Sequence, residues 1–369
     1  MRNNAMRRHA VVTAVVALAC SGHAVAGQDQ ALHLPPGFQI AVFAQDLRGV
    51  RYLALGPGGG GGGGGVVYAS RPGAGDIVRL PDGDGDGVAD SVVTVARGLD
   101  GPFGIAFRGD TMYVAEQTSV KRFDPGAAAP VTVVPRLPGG RGHSTRTVVF
   151  GTDGKMYVSV GSSCNICDES DSMRAAVLQF NRDGSGGRVF ARGLRNSVGL
   201  AVHPTTGELW ATNNDRDQLG DNLPPERINI IKDGKYYGWP QCYLPGQRNP
   251  EYPTADCGAV EPPAITFQAH SAPLGMTFST GTAFPTEYRG DAFVAYHGSW
   301  NRSVPTGAKV VRVQVENGRP VGIDDFIVGW QRPDGTRWGR PVGLVVAADG
   351  ALLVSDDMGG KIWRVTYGN

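Results

Sequence analysis

The sequence predicts an all-β fold, a six-bladed β-propeller. Three observations support this prediction: two short apolar runs separated by a turn recur six times, no long helical pattern interrupts them, and the chain contains 55 glycines and 25 prolines. So many turn-forming residues imply many short strands. A repeat of about 40 to 50 residues in β-rich sequence is typical of propeller blades, which have four strands each.

Each copy of the repeat has a first run such as GLAV and a second run such as LYVA. The copies cover residues 52–70, 104–116, 148–161, 199–213, 275–298 and 343–356. The longest interval separates the fourth and fifth copies and contains an extra loop. The eight-glycine run at 58–65 is interpreted as a lengthened turn, and a further strand is predicted over residues 37–44. We therefore expect one propeller domain over residues 27–369.

The first 26 residues have the pattern of an export signal. Three arginines among the first eight residues precede an apolar run over residues 10–20 and a small-residue cleavage site, Ala-Val-Ala, at 24–26. The apolar run is too short for a permanent membrane span. Cys20 leaves lipoprotein processing open as an alternative. We expect a periplasmic or secreted protein without a stable membrane span.

Four cysteines remain after the signal is removed, and export favours disulfides. Cys164 and Cys167 form a CNIC motif, and Cys242 and Cys257 bracket a proline-rich loop. We predict local pairing, 164 with 167 and 242 with 257. The alternatives are a redox-active CxxC and a zinc site made by all four.

Aligning the copies on their first runs places polar residues at equivalent positions, around one mouth of the propeller channel. The reference position of each copy is the apolar residue of its first run: Leu53, Ile105, Val148, Leu200, Met276 and Leu344. Five residues before the reference position stand Arg48, Asp100, His143, Arg195, Ser271 and Gly339; one residue later stand, among others, Asn196 and Arg340. Convergent polar groups at a concave mouth predict a binding site. The net charge of only +1 gives no indication of nucleic acid as a partner. The arginines instead predict a small anionic ligand with several carboxylates or phosphates.

His143 is the candidate general base of this ring. It precedes the predicted strand 147–150, which a hairpin turn at Asp153-Gly154 joins to a second strand, 156–160. A histidine at a strand entry, between glycines and an arginine, can accept a proton near neutral pH. The alternative is a histidine in a surface loop.

Two acidic segments are candidate calcium sites. Residues 82–90 read DGDGDGVAD, which places Asp82, Asp84, Asp86 and Asp90 as in the first part of an EF-hand-like loop, although Val93 stands where the bidentate glutamate is usual. The alternative is an acidic turn. The second segment, residues 213–226, follows the fourth copy and is rich in carboxylates.

The chain resembles the soluble quinoprotein sugar dehydrogenases, which use pyrroloquinoline quinone (PQQ), and in particular their sorbosone and pyranose dehydrogenase branch. The resemblance extends over residues 37–367, and the motifs are specific as a set. They are GHSTRTVVFGTDGKMYVSVGSSCN (142–165), GLRNSVGLAVHP (193–204), NNDRDQLGDNLPPERIN (213–229), YYGWPQC (236–242), AYHGSWNRS (295–303), KVVRV (309–313) and GRPVGL (339–344).

The resemblance implies a six-bladed propeller with PQQ lying over the channel mouth and calcium on its quinone oxygens. His143 matches the family's general base, and Arg195, Asn196 and Arg340 match cofactor-binding positions. A further cofactor-binding cation corresponds to either Arg302 or Lys309. The implied metal residues are Asp215, Arg216 and Asp217, partly through backbone carbonyls, and Glu226 and Tyr237 for a structural calcium.

Two positions depart from the glucose-oxidising branch. In that branch an aspartate orients the catalytic histidine from the position that Ser162 occupies in this chain. Another aspartate precedes the histidine in that branch, at the position of Gly142 in this chain. The residue that orients His143 is therefore open at this point.

The implied reaction is oxidation of a sugar hemiacetal or aldehyde, with hydride transfer to the quinone and electrons passed to an external acceptor, a quinone or a cytochrome. Two alternatives from other classes are a calcium-dependent lactonase on a similar propeller and a non-catalytic binding propeller. The lactonase would need a buried ion on the channel axis, held by carboxylate and asparagine ligands. A binding propeller would leave the gathering of His143, Arg195, Asn196 and Arg340 unexplained.

Overall fold

Six four-stranded antiparallel sheets form the blades of the propeller, as the sequence predicts. The structure, a computed structural model, describes residues 31–58 and 65–368. The predicted signal peptide with Cys20 and most of the glycine run lie outside the described residues. The strands of the first three blades are Leu53–Gly56, Val66–Arg71, Asp76–Leu80 and Val93–Ala96; Ile105–Arg108, Thr111–Ala115, Val120–Phe123 and Val131–Val134; and Val148–Phe150, Met156–Val160, Ala176–Phe180 and Arg188–Arg192.

The other three blades differ in detail from this simple order. Their strands are Leu200–Val202, Leu209–Asn213, Glu226–Ile231 and Ile265–Phe267; Pro273–Phe278, Ala292–Tyr296, Lys309–Glu316 and Arg319–Ile327; and Pro341–Val346, Leu352–Asp356, Lys361–Tyr367 and Phe38–Ala44. Blade 4 carries the predicted insertion, with a hairpin of Cys242–Leu244 and Gln247–Arg248, and blade 5 a 3-10 turn at Thr286–Tyr288.

The ring closes through the N-terminal strand. Phe38–Ala44 pairs antiparallel with the last strand, with Phe38 opposite Tyr367, and so becomes the outermost strand of blade 6. The first strand of each blade contacts that of the next, and blade 6 contacts blade 1 in the same way. Residues Ala31–Asn369 form one compact unit. Across the described ranges, no helix is long and apolar enough to cross a membrane.

Buried apolar side chains fill the interfaces between neighbouring blades. Six clusters lie between successive blade pairs; Tyr113 packs with Val158 between blades 2 and 3, and Phe293 with Leu344 between blades 5 and 6. A seventh cluster, around Phe103, comes from the strand entries that face the channel. Apolar burial of this kind is the main favourable term in folding.

The first strands approach each other closely at the channel. A Cβ on Gly343 would lie 2.2 Å from the carbonyl oxygen of Arg51 in the next blade, so only glycine fits there. The Ser355 hydroxyl donates to the same carbonyl at 2.5 Å and accepts from Gly343 N at 2.8 Å. In the same way, the Thr212 hydroxyl accepts from Gly199 N and donates to the Leu274 carbonyl in the next blade. These contacts fix the strand entries and so the loops at the mouth.

Both predicted disulfides are present. Cys164 pairs with Cys167, and Cys242 with Cys257. The second bond is buried and closes the insertion of blade 4. The pairing removes the free thiols that a four-cysteine zinc site would need.

Candidate functional site

The loops before the first strands and after the second strands of blades 3 and 4 bring the predicted residues together. His143 N donates to the Ser162 carbonyl at 2.9 Å, and Ser162 N donates to the Arg195 carbonyl at 2.7 Å. The buried Asn196 lies beside them, since a Cβ on Gly161 would meet both His143 Cβ at 2.5 Å and Asn196 Oδ1 at 2.7 Å.

The His143 ring has a defined tautomer. Its Nδ1 lies 3.1 Å from the carbonyl oxygen of Ser162 and 3.0 Å from the Ser162 hydroxyl, and that hydroxyl donates to the Cys164 carbonyl at 2.6 Å. A carbonyl oxygen only accepts, so we assign the hydrogen to Nδ1 and the lone pair to Nε2. Burial, and then the charge of Arg195, lower the pKa of His143 to about 3. The ring is therefore a neutral proton acceptor at physiological pH.

Gly142 explains why a backbone group orients His143. This residue has φ +84°, and a Cβ on it would lie 2.4 Å from the Ser162 carbonyl oxygen. A side chain at position 142 would displace the very carbonyl that binds Nδ1. The two departures from the glucose-oxidising branch, at 142 and 162, are thus geometrically linked.

Arg195 is buried, and most of its hydrogen-bond donors are already used. Its Nε donates to Asn165 O at 3.1 Å and its Nη2 to Asn165 Oδ1 and Asp217 Oδ2, both at 2.9 Å. Its Nη1 donates to the Asp215 carbonyl at 2.6 Å and makes only a 3.5 Å contact with Asn214 O. One N–H of Nη1 is therefore only weakly held by the protein.

The opposite side of the mouth, in blades 5, 6 and 1, holds a second cluster that the sequence alone did not reveal. His297 Nε2 lies 3.1 Å from both carboxylate oxygens of Asp357, and Arg51 Nη1 lies 2.5 Å from Asp357 Oδ2. Arg340 joins the cluster by donating from Nε to His297 O at 2.9 Å. Burial lowers the pKa of His297 to about 4, against the opposing effect of Asp357. The cluster therefore carries a net positive charge.

Arg51 could have been found by the repeat. Two residues before the reference position stand Phe103, Val198, Leu274 and Val342 in four of the blades, and these are the buried channel residues. Arg51 and Arg146 occupy that position in the other two blades. Arg51 Nε is buried without a hydrogen-bond partner among the described residues, and its guanidinium lies 5.7 Å from the Phe103 ring centroid. Arg146 instead donates to loop carbonyls, among them His143 O at 2.9 Å.

The remaining predicted cofactor residues are not joined to these clusters by hydrogen bonds. Arg48 is exposed, and the exposed Asp100 accepts from Thr118 at 2.9 Å. Lys309 pairs with Asp325 at 2.5 Å. Arg302 donates to the Asp221 carbonyl and to Asn222 in the loop after the second strand of blade 4.

All three residues of the segment 215–217 form ion pairs with other protein side chains. Asp215 Oδ2 lies 2.6 Å from Arg227 Nη2 in a fully buried ion pair. Arg216 pairs with Glu251 at 2.5 Å. The Asp217 carboxylate accepts from Asn301 at 3.1 Å as well as from Arg195.

Glu226 and Tyr237, implied as structural calcium ligands, have internal partners. The Glu226 carboxylate accepts from Asp215 N at 2.7 Å, and burial raises its pKa to about 8. The Tyr237 hydroxyl donates to Ile230 O at 2.7 Å. The calcium site at these residues stays a prediction.

The acidic loop near the start of the chain brings three of its four predicted ligands together. One carboxylate oxygen from each of Asp82, Asp84 and Asp86 lies within 4.8 Å of the other two, while Asp90 accepts from Gly83 N at 2.6 Å. Asp84 and Asp86 are exposed and Asp82 is half-buried.

Comparison with known proteins identifies relatives. The family model for glucose/sorbosone dehydrogenase matches residues 131–364. An uncharacterized protein of Borreliella burgdorferi is 36% identical over 231 residues, 61% of this chain and 61% of that protein. A PQQ-dependent pyranose dehydrogenase of Coprinopsis cinerea is 28% identical over 291 residues, 60% of this chain and 39% of that protein. The chain thus covers less than two thirds of either relative.

A solved structure supports the architecture. A Trichoderma reesei protein of carbohydrate-active enzymes family AA12 superposes with a TM-score of 0.78 at 23% identity, over 92% of this chain and 98% of that one. This likeness confirms the propeller fold.

Proposed function

The chain belongs to the glucose/sorbosone dehydrogenase family, and on that premise we propose that it oxidises a sugar hemiacetal or aldehyde with PQQ as cofactor. The observation that carries the proposal is the fixed tautomer of His143. Its Nε2 has a free lone pair at the mouth of the channel, and its low pKa keeps that lone pair available. A neutral imidazole is the form that a general base requires.

The charged residues of the mouth fit a polycarboxylate such as PQQ, which has three carboxylates. Three different blades offer donors: Arg51 through its buried Nε, which has no partner in the part of the chain that the structure describes, the half-buried Arg340, and Arg195 through its weakly held N–H. Charge-assisted hydrogen bonds of this kind are stronger than neutral ones and fix the orientation of a ligand. Asn196 and either Arg302 or Lys309 complete the proposed cofactor set, with Arg48 and Asp100 at its exposed edge.

The chain's own part in the reaction is to hold the sugar's proton. When bound, PQQ supplies an electrophilic carbonyl that accepts hydride. Nε2 of His143 takes the proton of the hydroxyl group on the carbon that is oxidised, while Ser162 keeps the other ring nitrogen protonated. Burial, and then the arginine charges, lower the pKa of the imidazole, so the proton is released readily afterwards.

Calcium is part of the proposal on the family resemblance. The carbonyl oxygen of Asp215 and the carboxylate of Asp217 now accept from Arg195, so the segment as arranged does not fit a second cation. We therefore derive no catalytic step through the ion. A calcium titration of PQQ binding, with a chelator as the control, tests this part separately.

We further propose export to the periplasm or secretion after removal of residues 1–26, and an external quinone or cytochrome as electron acceptor. The deciding experiment adds PQQ and calcium to the purified apo-protein. We expect reduction of an artificial dye with some members of a panel of aldoses, together with a quinone absorption band on the protein. Binding of PQQ without dye reduction by any sugar would leave a PQQ-binding propeller, and no binding would end the proposal.

A further inference from the structure

The loop after the second strand of blade 3 supplies partners to His143 and Arg195 at once. The disulfide between Cys164 and Cys167 closes a ring around Asn165 and Ile166, and all four residues are half-buried. Two residues before Cys164, Ser162 binds His143, and its hydroxyl donates to the Cys164 carbonyl. The ring therefore adjoins the proposed base.

Asn165 is the most connected residue of this ring, with five hydrogen bonds. Its side-chain oxygen accepts from Arg195 Nη2 at 2.9 Å and from Asp217 N at 2.8 Å, and its Nδ2 donates to Asp217 O at 3.1 Å. Its backbone carbonyl accepts from Arg195 Nε at 3.1 Å and from Trp239 Nε1 at 3.0 Å. Two nitrogens of the Arg195 guanidinium, Nε and Nη2, thus donate to the same residue.

Such an arrangement determines how the fork is oriented. A planar guanidinium that is bound through both Nε and Nη2 cannot rotate about its terminal bonds without breaking a hydrogen bond. The backbone carbonyl and side-chain amide of Asn165 must then be presented together, which costs conformational entropy. A closed four-residue ring reduces that cost in advance, in the same way that a cyclic ligand is preorganised.

We propose that Asn165, held in the ring closed by Cys164 and Cys167, is the positioning residue for Arg195 and through it for a carboxylate of the cofactor. This inference rests on the proposed function. Asn165 itself need not touch the ligand; it leaves the weakly held N–H of Arg195 Nη1 in place for it.

The first test measures binding of PQQ to the apo-protein by equilibrium dialysis, without turnover. Asn165→Ala removes two acceptor bonds and one donor bond, one of them to a charged group, and we expect affinity to fall by about tenfold or more. Ile166→Ala changes the same ring without touching Arg195 and is the matched control, with affinity near that of the parent. In an Arg195→Ala background, Asn165→Ala should add nothing, because the two residues act as one unit. An undiminished effect in that background would overturn the inference.

The second test opens the ring. A water-soluble phosphine supplies two electrons and breaks the S–S bond; one water molecule gives its two protons to the two thiols and its oxygen to the phosphine, which becomes the phosphine oxide. Cys242 and Cys257 are 0% and 2% exposed, so mild treatment should reduce the half-buried Cys164–Cys167 bond first, as alkylation and mass mapping will show. We expect PQQ affinity to fall about as far as in Asn165→Ala, and Cys164→Ser/Cys167→Ser to reproduce the fall.

Cys242→Ser/Cys257→Ser is the control for a general loss of stability. It should lower the unfolding temperature and leave PQQ affinity little changed. If the parent binds PQQ but Asn165→Ala and the reduced protein bind it equally well, the inference is wrong while the proposed function stands. If the parent does not bind PQQ, both fall.

Discussion

The Nδ1 atom of His143 lies 3.1 Å from the carbonyl oxygen of Ser162, and no carboxylate of residues 31–58 or 65–368 takes part in orienting this ring. The bond depends on Gly142, because a Cβ there would approach the same carbonyl oxygen to 2.4 Å. Ser162 thus contacts Nδ1 through both its carbonyl oxygen and its hydroxyl, and the carbonyl oxygen is the group that a Cβ at position 142 would displace. This division of roles leads to a pair of contrasting variants.

Gly142→Ala should lower turnover much more than Ser162→Ala. The alanine methyl group must push the Ser162 carbonyl away, and φ +84° is strained for any residue with a side chain. Ser162→Ala removes the hydroxyl contact and keeps the carbonyl bond, so the tautomer survives. Steady-state kinetics with dye as acceptor will compare them, with PQQ affinity as the control for cofactor loss. A Ser162→Ala variant as impaired as Gly142→Ala would show that the hydroxyl is the orienting group.

His143→Ala should lower turnover by at least about 100-fold while PQQ still binds, because general base catalysis typically contributes 10²–10⁴-fold. The fold should survive, since the residue lies at the channel mouth and is only half-buried. Because the pKa of His143 is about 3, the base is still neutral at pH 5. Turnover of the parent protein should therefore not fall when the pH is lowered through 6.5, the pKa of an ordinary histidine. Turnover of the reconstituted variant near the parent rate would move the base elsewhere and place the other roles transferred from the family in doubt.

The sequence repeat predicts the fold and the blade 3 and blade 4 side of the channel mouth, because each copy of the repeat corresponds to one blade. Equivalent strand entries must gather around the channel, so the spacing of the repeat is enough to place His143, Arg195 and Asn196 together. The alignment did not predict that His297 and Asp357 belong to the site, because they follow second strands and the alignment compares the residues that precede first strands. The Ser162 carbonyl, which binds His143, could not be predicted for another reason: a backbone carbonyl has no signature in the sequence, and only the geometry at Gly142 reveals it.

Glu226 should make stability fall as pH rises. Burial raises its pKa to about 8, well above that of a glutamate in the unfolded chain, so the folded state binds a proton that the unfolded state has released. The resulting stabilisation is complete below about pH 4.5 and is lost between there and about pH 8. Glu226→Gln, which mimics the protonated acid, should remove this slope. Urea unfolding of both proteins at pH 6 and pH 9 measures it; equal changes in the two proteins would contradict the assignment.

Calcium should stabilise the fold through the loop at 82–90 if its three clustered carboxylates bind the ion. A ligand that binds only the folded state raises the unfolding temperature with its concentration. Asp84→Asn removes one charge from the cluster and should diminish the increase, whereas Asp110→Asn, an exposed carboxylate elsewhere in the propeller, should not. Thermal unfolding with calcium or with chelator will decide it. An unchanged response in Asp84→Asn would leave an acidic turn.

Arg51→Ala and Arg340→Ala should each weaken PQQ binding, although only Arg340 was predicted from the sequence. Arg51 pairs with Asp357 and has a buried Nε that finds no partner within the described ranges. Arg340 is anchored through His297 and keeps its charge at the mouth. A hydrogen bond to a charged group contributes about 1.5–3 kcal/mol, so each loss should raise the dissociation constant by at least about tenfold.

The matched control for these two variants is Arg97→Ala, an exposed arginine after the fourth strand of blade 1, which should bind as the parent does. Arg195→Ala should weaken PQQ by about 2–5 kcal/mol, because it also leaves Asp217 without its charged partner. The two sides of the mouth should act independently, so Arg51→Ala and Arg195→Ala should be additive in a double variant. An Arg51→Ala protein with parental affinity would mean that the cofactor is held by the blade 3 and blade 4 side alone, and that Arg51 serves only to fix Asp357 and His297.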